Sequence, residues 1–513
     1  MSKHLLKSGV IVSAMTFLSR ILGLTRDIIM ADLLGASWVS DVFIVAQKIP
    51  NFLRRLFAEG AFSQAFIPVL SEYQTNRELN EVKRLVAETS GTLGLILLIV
   101  SIVGVIGSPV LVSIFGTGFI GKPEEFELAS TLLKITFPYI LFISLTAFSG
   151  SILNSVGKFA VPAFTPVFLN LSMISAAIMV SPALPDETAM AFAWGIFVAG
   201  IIQLMFQLPF LWREGLLVKP KWGWRSEGVR RILTLMGPAI FGVSVAQINL
   251  LLDTVIASFL EEEGSITWLY YSDRMLEFPL GIFAIAIATV ILPSLSRHHN
   301  KNEPDEFNYT MNWGLRLVFL IGVPAALGLY VMAEPILLTV FQRGEFDLSD
   351  AYSASLSLKA YIIGLIGFML IKVLATGFFS RQDTKTPVKV GIIAMSVNML
   401  FNIILFYPLA HVGLALATTI SALLNATLLF MALYKSKAFI PDGRWRSWFL
   451  KLIIGNIALF GFIKFTMADI LIWQEWQTWD RVQNMIVLVI GSVLVYFIAM
   501  FLVGVRAKDL KHA

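Results

Sequence analysis

The sequence predicts an all-α polytopic membrane protein with about 14 transmembrane helices, arranged as two six-helix lobes related as parallel repeats, plus two C-terminal helices. Three observations predict this class: the composition, the spacing of the apolar segments and an internal repeat. Of the 513 residues, 57% are hydrophobic and only 14% are charged, and the mean hydropathy is +0.78. Soluble domains carry about 25% charged residues. The composition therefore excludes a soluble enzyme with a single anchor.

Apolar segments long enough to cross a membrane occur along the whole chain. A helix needs roughly 20 residues to cross about 30 Å of hydrocarbon. Segments of this kind are expected near residues 9–33, 39–71, 88–116, 129–154, 160–181, 188–212, 230–259, 266–296, 313–341, 354–379, 387–409, 411–435, 447–471 and 483–505.

An internal repeat with a constant offset of 225 residues predicts the two lobes. IPVLSEY at 67–73 matches LPSLSRH at 292–298, Lys134 matches Lys359, and Pro162 matches Pro387. Six helices per repeat is an even number, so both halves insert in the same direction. We expect an N-terminal lobe at 1–215, a second lobe at 216–440, and two additional helices at 441–513 whose boundary with the lobes could hold a lipid tail.

The distribution of basic residues predicts the orientation in the membrane. Lys and Arg collect in alternate loops, for example Lys83, Arg84, Lys219 and Lys221, whereas the opposite side carries acidic loops such as 261–263. Cytoplasmic loops are enriched in Lys and Arg, so both termini are expected in the cytoplasm. The net charge of +5 reflects this topology and requires no nucleic acid partner.

Several classes of chemistry lack the residues they need. The chain has no cysteine, and its five histidines fall in predicted loops or tails. Thiolate sites and an intramembrane histidine metal site are therefore not expected. No G-x-x-x-x-G-K-[ST] motif is present. Transport would then draw on a coupling ion (Na⁺ or H⁺), the membrane potential or the flux of substrate rather than on a cofactor or ATP.

Clusters of charged residues interrupt the first, second and eighth predicted spans, where hydrocarbon is expected. A central arginine on a lipid-facing helix costs at least ~2.5 to 3.5 kcal/mol, so such residues normally face a protein interior or a water-filled cavity. In the second span the spacings of seven and four place most of these charges on one helical face. The predicted substrate-binding residues are Arg20, Arg26, Asp41, Lys48, Arg54, Arg55, Glu59, Asp273, Arg274 and Glu277.

Two interpretations of these charges remain open at the level of sequence. Arginine presents a planar fork that suits phosphate or carboxylate, which predicts a cationic pocket between the two halves for an anionic headgroup. Alternatively, the cations neutralise nearby acids such as Asp27 in structural ion pairs.

Polar residues in the later spans suggest a cation site. Asp253 lies deep in the seventh span, Asn398 and Asn402 are four residues apart in the eleventh, and Thr418 is in the twelfth. If they converge, their oxygens could hold a monovalent cation, or Asp253 could carry a proton. The alternative is that the asparagines only hydrogen-bond between helices.

Long motifs resemble one bacterial family. The segments are MTFLSRILGLTRDIIMADLLGAS (15–37), SDVFIVAQKIPNFLRRLFAEGAFSQAFIPVLSEY (40–73), LLKITFPYILFISL (132–145), YYSDRMLEFPLGIF (270–283) and FFSRQDTKTPVKV (378–390). Together they resemble the MurJ/MviN lipid II flippase family over nearly the whole chain. The resemblance implies the fold of the multidrug/oligosaccharidyl-lipid/polysaccharide exporter superfamily.

The resemblance also implies a function. A member of this family would move lipid II, the undecaprenyl-pyrophosphate-linked peptidoglycan precursor, from the cytoplasmic to the outer leaflet of the bacterial inner membrane by alternating access. The cavity charges of the family fall at Arg20, Arg26, Asp41, Arg54, Arg55 and Arg274 of this chain. The expected partners are lipid II, membrane lipids and the cell-wall synthesis machinery.

Four other functions differ in the residues they require. A related exporter could carry another lipid-linked oligosaccharide. A drug/cation antiporter of the same superfamily predicts an acidic cavity, whereas this one is rich in arginine. A polytopic enzyme acting on prenyl phosphates would need clustered acids for Mg²⁺, which the sequence lacks. A structural scaffold would tolerate neutral residues at the arginine positions.

Overall fold

The computed structural model describes residues 3–55, 62–182 and 187–506. Within these ranges the structure is built from helices and contains no β-strand beyond one isolated bridge between Arg343 and Phe346. The predicted all-α class is confirmed.

Packing divides the chain after Gly264 into two compact units. The helices of the first unit are α1 (Lys3–Leu34), α2 (Trp38–Leu53), α3 (Ser63–Asn76), α4 (Leu79–Ile106), α5 (Ser108–Phe115), α6 (Pro123–Thr136), α7 (Tyr139–Ser155), α8 (Ala160–Phe164), α9 (Pro166–Val180), α10 (Thr188–Arg213) and α11 (Glu227–Ala257).

The second unit contains ten α-helices and a π-helical turn at Leu280–Ala284. The helices are α12 (Ser265–Pro279), α13 (Ile285–Asn300), α14 (Pro304–Val331), α15 (Ala333–Val340), α16 (Leu348–Ile363), α17 (Leu365–Phe379), α18 (Lys385–Lys435), α19 (Trp445–Thr466), α20 (Ile470–Glu475) and α21 (Thr478–Leu502).

The number of membrane spans stays a prediction. Among the described residues, nine helices are long and apolar enough to cross a membrane, or ten if α16 and α17, bent by 41°, form one span. Helix α18 counts once, although Ala410 interrupts it with φ 45° and ψ −127°. This break falls between the predicted spans 387–409 and 411–435.

Helix starts in the two units follow the offset seen in the sequence. Helices α14, α15 and α16 begin at residues 304, 333 and 348, each 225 residues after the starts of α4, α5 and α6 at 79, 108 and 123. Pro68 and Pro293, which belong to the matching heptapeptides, lie inside α3 and α13. Equivalent segments of the repeat therefore form equivalent helices.

Contacts between helices do not follow the predicted domain boundary at 215/216. Helix α11 opens the second half of the repeat, yet it contacts α2, α3, α4 and α5 of the first unit. Because packing and sequence repetition are different criteria, this division does not test the predicted domains at 1–215, 216–440 and 441–513.

Aromatic packing and close backbone contacts hold the first unit together. The rings of Phe62 and Phe66 stack with centroids 5.2 Å apart, and Phe148 of α7 lies 5.0 Å from Phe66. Helix α10 packs closely on α9, because a Cβ on Gly195 would meet Met173 Cα at 2.9 Å. Small residues that allow such approach are typical of helix pairs in membranes.

Polar contacts fix α21, the last long helix, to other helices of the second unit. Tyr496 of α21 donates a hydrogen bond to the Leu320 carbonyl of α14 at 2.8 Å. Arg481, only 4% exposed, donates to the carbonyls of Trp473 at 2.8 Å and Leu338 at 3.2 Å and also bonds the side chain of Gln342. These contacts secure α21 both in its first turn, at Arg481, and within its apolar span, at Tyr496.

A buried ion pair ties α1 to α9. Arg26 donates to Asp27 Oδ1 from Nη2 at 2.6 Å and to Asn170 Oδ1 of α9 from Nη1 at 3.1 Å. Asn170 in turn donates to the Ser19 carbonyl at 3.0 Å. Arg26 and Asp27 are 6% and 2% exposed. This arrangement matches the structural ion pair that the sequence left open for Arg26.

We expect Arg26→Leu to destabilise the protein by about 3–5 kcal/mol, because it leaves the Asp27 carboxylate buried without a counter-charge. The double variant Arg26→Leu/Asp27→Leu should recover most of that loss. Thermal unfolding in one detergent measures both.

Arg84→Leu is the matched control for this experiment. Arg84 forms an ion pair with Glu88, but its side chain is 75% exposed, so its loss should cost less than about 1 kcal/mol. If the Arg26→Leu protein unfolds at the wild-type temperature, the contacts of Arg26 with Asp27 and Asn170 do not stabilise the packing of α1 on α9.

Candidate functional site

Helix α2 carries the first predicted site residue in its opening turn. Ser37 and Ser40 form a capping box that starts the helix, and Asp41 follows within the first turn. Asp41 Oδ2 accepts a hydrogen bond from the Gly264 N–H at 2.9 Å. Gly264 has φ +85°, and a Cβ there would meet the Ala36 carbonyl oxygen at 2.4 Å. Only glycine fits this contact, which holds the Asp41 carboxylate against the loop before α12.

The polar stripe along α2 is shorter than the spacing predicts. Helix α2 ends at Leu53, and Arg54 and Arg55 lie in a π-helical turn. Pro50, inside the last turn of α2, removes one backbone hydrogen bond and crowds the preceding turn. The expected continuous α-helical face from Asp41 to Glu59 is therefore interrupted at Leu53. Glu59 itself lies outside the described residues.

The cations of α2 and the following turn differ in their surroundings. Lys48 is half-buried, as is Arg54, whose Nε donates to Asn51 Oδ1 at 3.4 Å. Arg55 is exposed. Among the described residues, Arg55 has no acidic partner within ion-pair distance.

The two arginines of α1 also differ. Arg26 belongs to the buried tether with Asp27 and Asn170 described above. Arg20 is half-buried six residues earlier and forms no ion pair with any residue in the described ranges. The first unit therefore contains two predicted site arginines, Arg20 and Arg55, whose charges no described acid neutralises.

The predicted cluster on α12 is partly paired. Arg274 donates to Tyr270 Oη at 3.0 Å and to Glu277 Oε2 at 3.1 Å, and its guanidinium lies 5.1 Å from the Tyr270 ring centroid. Asp273 and Glu277 are exposed. Arg274 is thus held by a neighbouring phenol and a partly solvated acid, while its side chain stays 33% exposed.

Three of the four predicted cation ligands come together. Asn402 donates to Asn398 Oδ1 at 3.1 Å, Asn398 donates to Thr418 Oγ1 at 3.3 Å, and both asparagines are fully buried. Asp253 lies in the first unit, where Asn249 donates to it at 3.4 Å. The amide and hydroxyl contacts are those expected of hydrogen bonding between helices, so the cation site stays a prediction.

One histidine lies where the sequence did not place it. His411 was expected in a loop, but it is 6% exposed within α18, its Nδ1 lies 2.6 Å from Ser357 Oγ, and its ring packs against Trp268. The contacts with Trp268 of α12 and Ser357 of α16 explain the difference, because they bury the ring between helices. No group of three or more His, Asp or Glu side chains suited to a metal occurs in the described part of the chain.

An apolar cavity of about 430 Å³ lies within the second unit, between the repeat helices and α19 and α21. Phe283, Pro324 and Ala325 line it from the repeat helices, and Leu459, Val489 and Phe497 line it from α19 and α21. Its walls are almost entirely hydrocarbon, which suits an acyl or prenyl chain rather than a headgroup.

Comparison with known proteins identifies the family. The lipid II flippase MurJ family matches residues 30–487. A relative from Vibrio cholerae serotype O1, described as a probable lipid II flippase MurJ, is 52% identical and covers 100% of this chain and 98% of its own length. Another, from Haemophilus influenzae and described in the same words, is 51% identical over 97% of this chain and 99% of its own length.

Solved structures show the same fold. A lipid II flippase MurJ in an inward closed conformation superposes with a TM-score of 0.80 at 28% identity, over 96% of this chain and 98% of that one. An inward-facing multidrug transporter of the MATE family and MOP superfamily superposes with a TM-score of 0.66 at 14% identity, over 84% and 98%, which shows a shared fold alone. The family match and the long, highly identical relatives show that the chain belongs to the MurJ family of lipid II flippases, which are membrane transporters and not enzymes.

Proposed function

We propose that this protein moves lipid II from the cytoplasmic to the outer leaflet of the bacterial inner membrane by alternating access. In this proposal the headgroup is held in an arginine-rich cavity to which α1 contributes Arg20, the turn after α2 contributes Arg54 and Arg55, and α12 contributes Arg274. Membership of the MurJ family and the names of its relatives support the substrate.

The observation that carries the proposal is the pair of arginines without acidic partners. Arg20 lies in an apolar stretch of α1, and Arg55 follows Arg54 in the turn after α2; within the described residues, no acid pairs with either. An isolated cation is costly at membrane depth, so its retention requires a compensating role. A pyrophosphate offers several oxygens to planar guanidinium groups and forms short, charge-assisted hydrogen bonds.

The paired charges suit other roles in the same mechanism. Arg26 with Asp27 fixes α1 against α9, and Asp41 fixes the start of α2 to Gly264. Both contacts position the cationic segment without being free for the headgroup. Arg274 lies between these cases, because Tyr270 and Glu277 hold it and a third of its side chain is exposed.

The lipid tail needs a separate, apolar surface. The cavity of about 430 Å³ beside α19 and α21 is lined by hydrocarbon, so a prenyl chain could move from the bilayer into it without contacting water. We assign this cavity to the undecaprenyl chain, as the sequence suggested for the additional C-terminal helices.

Three finer aspects belong to the same proposal. The alternation of basic loops supports cytoplasmic termini, and the substrate supports a place beside the cell-wall synthesis machinery. The energy source is assigned to an ion gradient or the membrane potential, with Asp253 as the group that takes up Na⁺ or H⁺.

Arg20→Ala and Arg55→Ala should each abolish the appearance of lipid II on the outer leaflet, because each removes a guanidinium that has no acidic partner among the described residues and that we assign to the pyrophosphate. The measurement uses a bacterium whose own flippase is depleted and compares variants at equal membrane levels. Arg213→Ala, which removes an exposed arginine at the end of α10, should transport normally. Normal transport by both Arg20→Ala and Arg55→Ala would remove the arginine cavity from the account.

Val489→Trp should slow transport because the larger side chain fills the apolar cavity. Val487→Trp is the matched control: it lies two residues away on α21, is 65% exposed and does not line the cavity. Initial rates of lipid II flipping in proteoliposomes measure the difference. Equal rates for the two variants would show that the cavity does not hold the tail.

Asp253→Asn should stop transport while leaving lipid II binding intact, because the amide keeps the hydrogen bond to Asn249 but carries no charge for Na⁺ or H⁺. Flipping in proteoliposomes with and without an imposed gradient, together with equilibrium binding, separates the two steps. A variant that still responds to the gradient as the wild type does rules out Asp253 as the coupling group.

A further inference from the structure

A second cationic pocket lies in the second unit, at the start of α19. It has a volume of about 190 Å³ and, unlike the cavity assigned to the tail, its walls are mainly polar. The side chains that matter for its chemistry are those of Tyr309, Arg316, Arg444, Ser447, Trp448 and Lys451.

The pocket is built by a polar stripe on α14. Asn308 and Asn312, four residues apart on one face, accept hydrogen bonds from Ile440 N–H at 2.8 Å and from Trp445 Nε1 at 2.7 Å. Arg316, four residues further along, forms an ion pair with Asp442. These contacts fix the segment before α19 and bring its first two turns against α14.

Positive charge exceeds negative charge in this pocket. Three cations, Arg316, Arg444 and Lys451, lie around one acid. Asp442 pairs with Arg316 and with Arg444 at 3.0 Å, which leaves a formal excess of two positive charges. Lys451 Nζ donates to the Gly504 carbonyl at 3.3 Å, a contact that does not neutralise it.

Two residues that line the pocket each carry a buried donor that has no acceptor within the described part of the chain. Trp448 is 8% exposed, and neither its Nε1 nor Arg316 Nε has a hydrogen-bond partner among the described residues. A buried donor left unsatisfied costs about 1–3 kcal/mol. Arg316 contacts Asp442 because it holds the segment before α19 in place. That role accounts neither for the buried N–H of the Trp448 indole nor for the charge of Lys451.

We propose that this pocket binds a phosphate group. A phosphate supplies acceptor oxygens for the Trp448 indole, Arg316 Nε and Lys451, and its charge balances the excess of two. Trp448 and Lys451 lie within the first two turns of α19, which is within about 10 Å of the helix start. Basic pockets between membrane helices at such positions bind lipid headgroups. The phosphate comes from a phospholipid headgroup or from a soluble phosphate, and the site is separate from the residues assigned to lipid II.

Trp448→Phe and Lys451→Gln test the site. Trp448→Phe keeps an aromatic ring and removes only the unpartnered N–H, so without an anion it should unfold at or above the wild-type temperature. Lys464→Gln is the matched control, because it removes an exposed lysine from the other end of α19. The purified full-length protein, free of lipid II, is titrated in dodecyl maltoside micelles, which contain no phosphate, with phosphatidylglycerol, or with inorganic phosphate against chloride at equal ionic strength, and the unfolding temperature is followed.

Phosphatidylglycerol should raise the unfolding temperature of the wild type and of Lys464→Gln, with an apparent affinity roughly tenfold weaker in Trp448→Phe and in Lys451→Gln, as expected for one lost charged hydrogen bond. If inorganic phosphate reproduces the shift with the same variant pattern, the ligand is a soluble phosphate; if only phosphatidylglycerol acts, it is a membrane lipid. Either result supports the site. No shift with either probe, or equal affinity in all four proteins, overturns it.

Discussion

The cost of a charge at membrane depth is the constraint on which the rest of the structure depends. Each charged residue in an apolar span must be neutralised, hydrated or used. The chain meets this condition in different ways: Arg26 is neutralised by Asp27, Arg481 is surrounded by carbonyl oxygens, and Arg274 is held by a phenol and a partly exposed acid. Arg20 and Arg55 meet it in none of these ways within the described residues. That difference separates the residues that hold the helices from those assigned to the substrate.

Much of the fold and part of the site could be predicted from the sequence, because both depend on regularities along the chain. Hydropathy predicted the helical class, and the offset of 225 residues reappears in the starts of α14 to α16.

The partners of the charges could not be predicted. Arg26 meets Asn170 across 144 residues and Asp41 meets Gly264 across 223, and no periodicity encodes such contacts. The spacing of Asp41, Lys48 and Arg55 also assumed an unbroken α-helix, which Pro50 ends early. The polar stripe on α14 is visible in the sequence, since Asn308, Asn312 and Arg316 recur every four residues. Its role in holding the segment before α19 could be recognised only from the structure.

The two additional C-terminal helices bring together three features of different chemistry. Their apolar faces line the cavity assigned to the undecaprenyl chain, buried polar contacts from Arg481 and Tyr496 secure α21 to α15 and α14, and the first turns of α19 line the proposed phosphate pocket. In these two proposals the same helices line a site for a lipid tail and a site for a phosphate group, and different side chains form each site.

The most direct test of the central claim is the equilibrium affinity of the purified protein for lipid II, measured beside undecaprenol, which shares the tail but lacks the pyrophosphate. If Arg20 and Arg55 hold the pyrophosphate, replacing either with alanine weakens lipid II binding by roughly tenfold or more and leaves undecaprenol binding unchanged. Lipid II affinity that is unchanged in both variants would contradict the claim, because neither arginine would then contribute to binding of the headgroup.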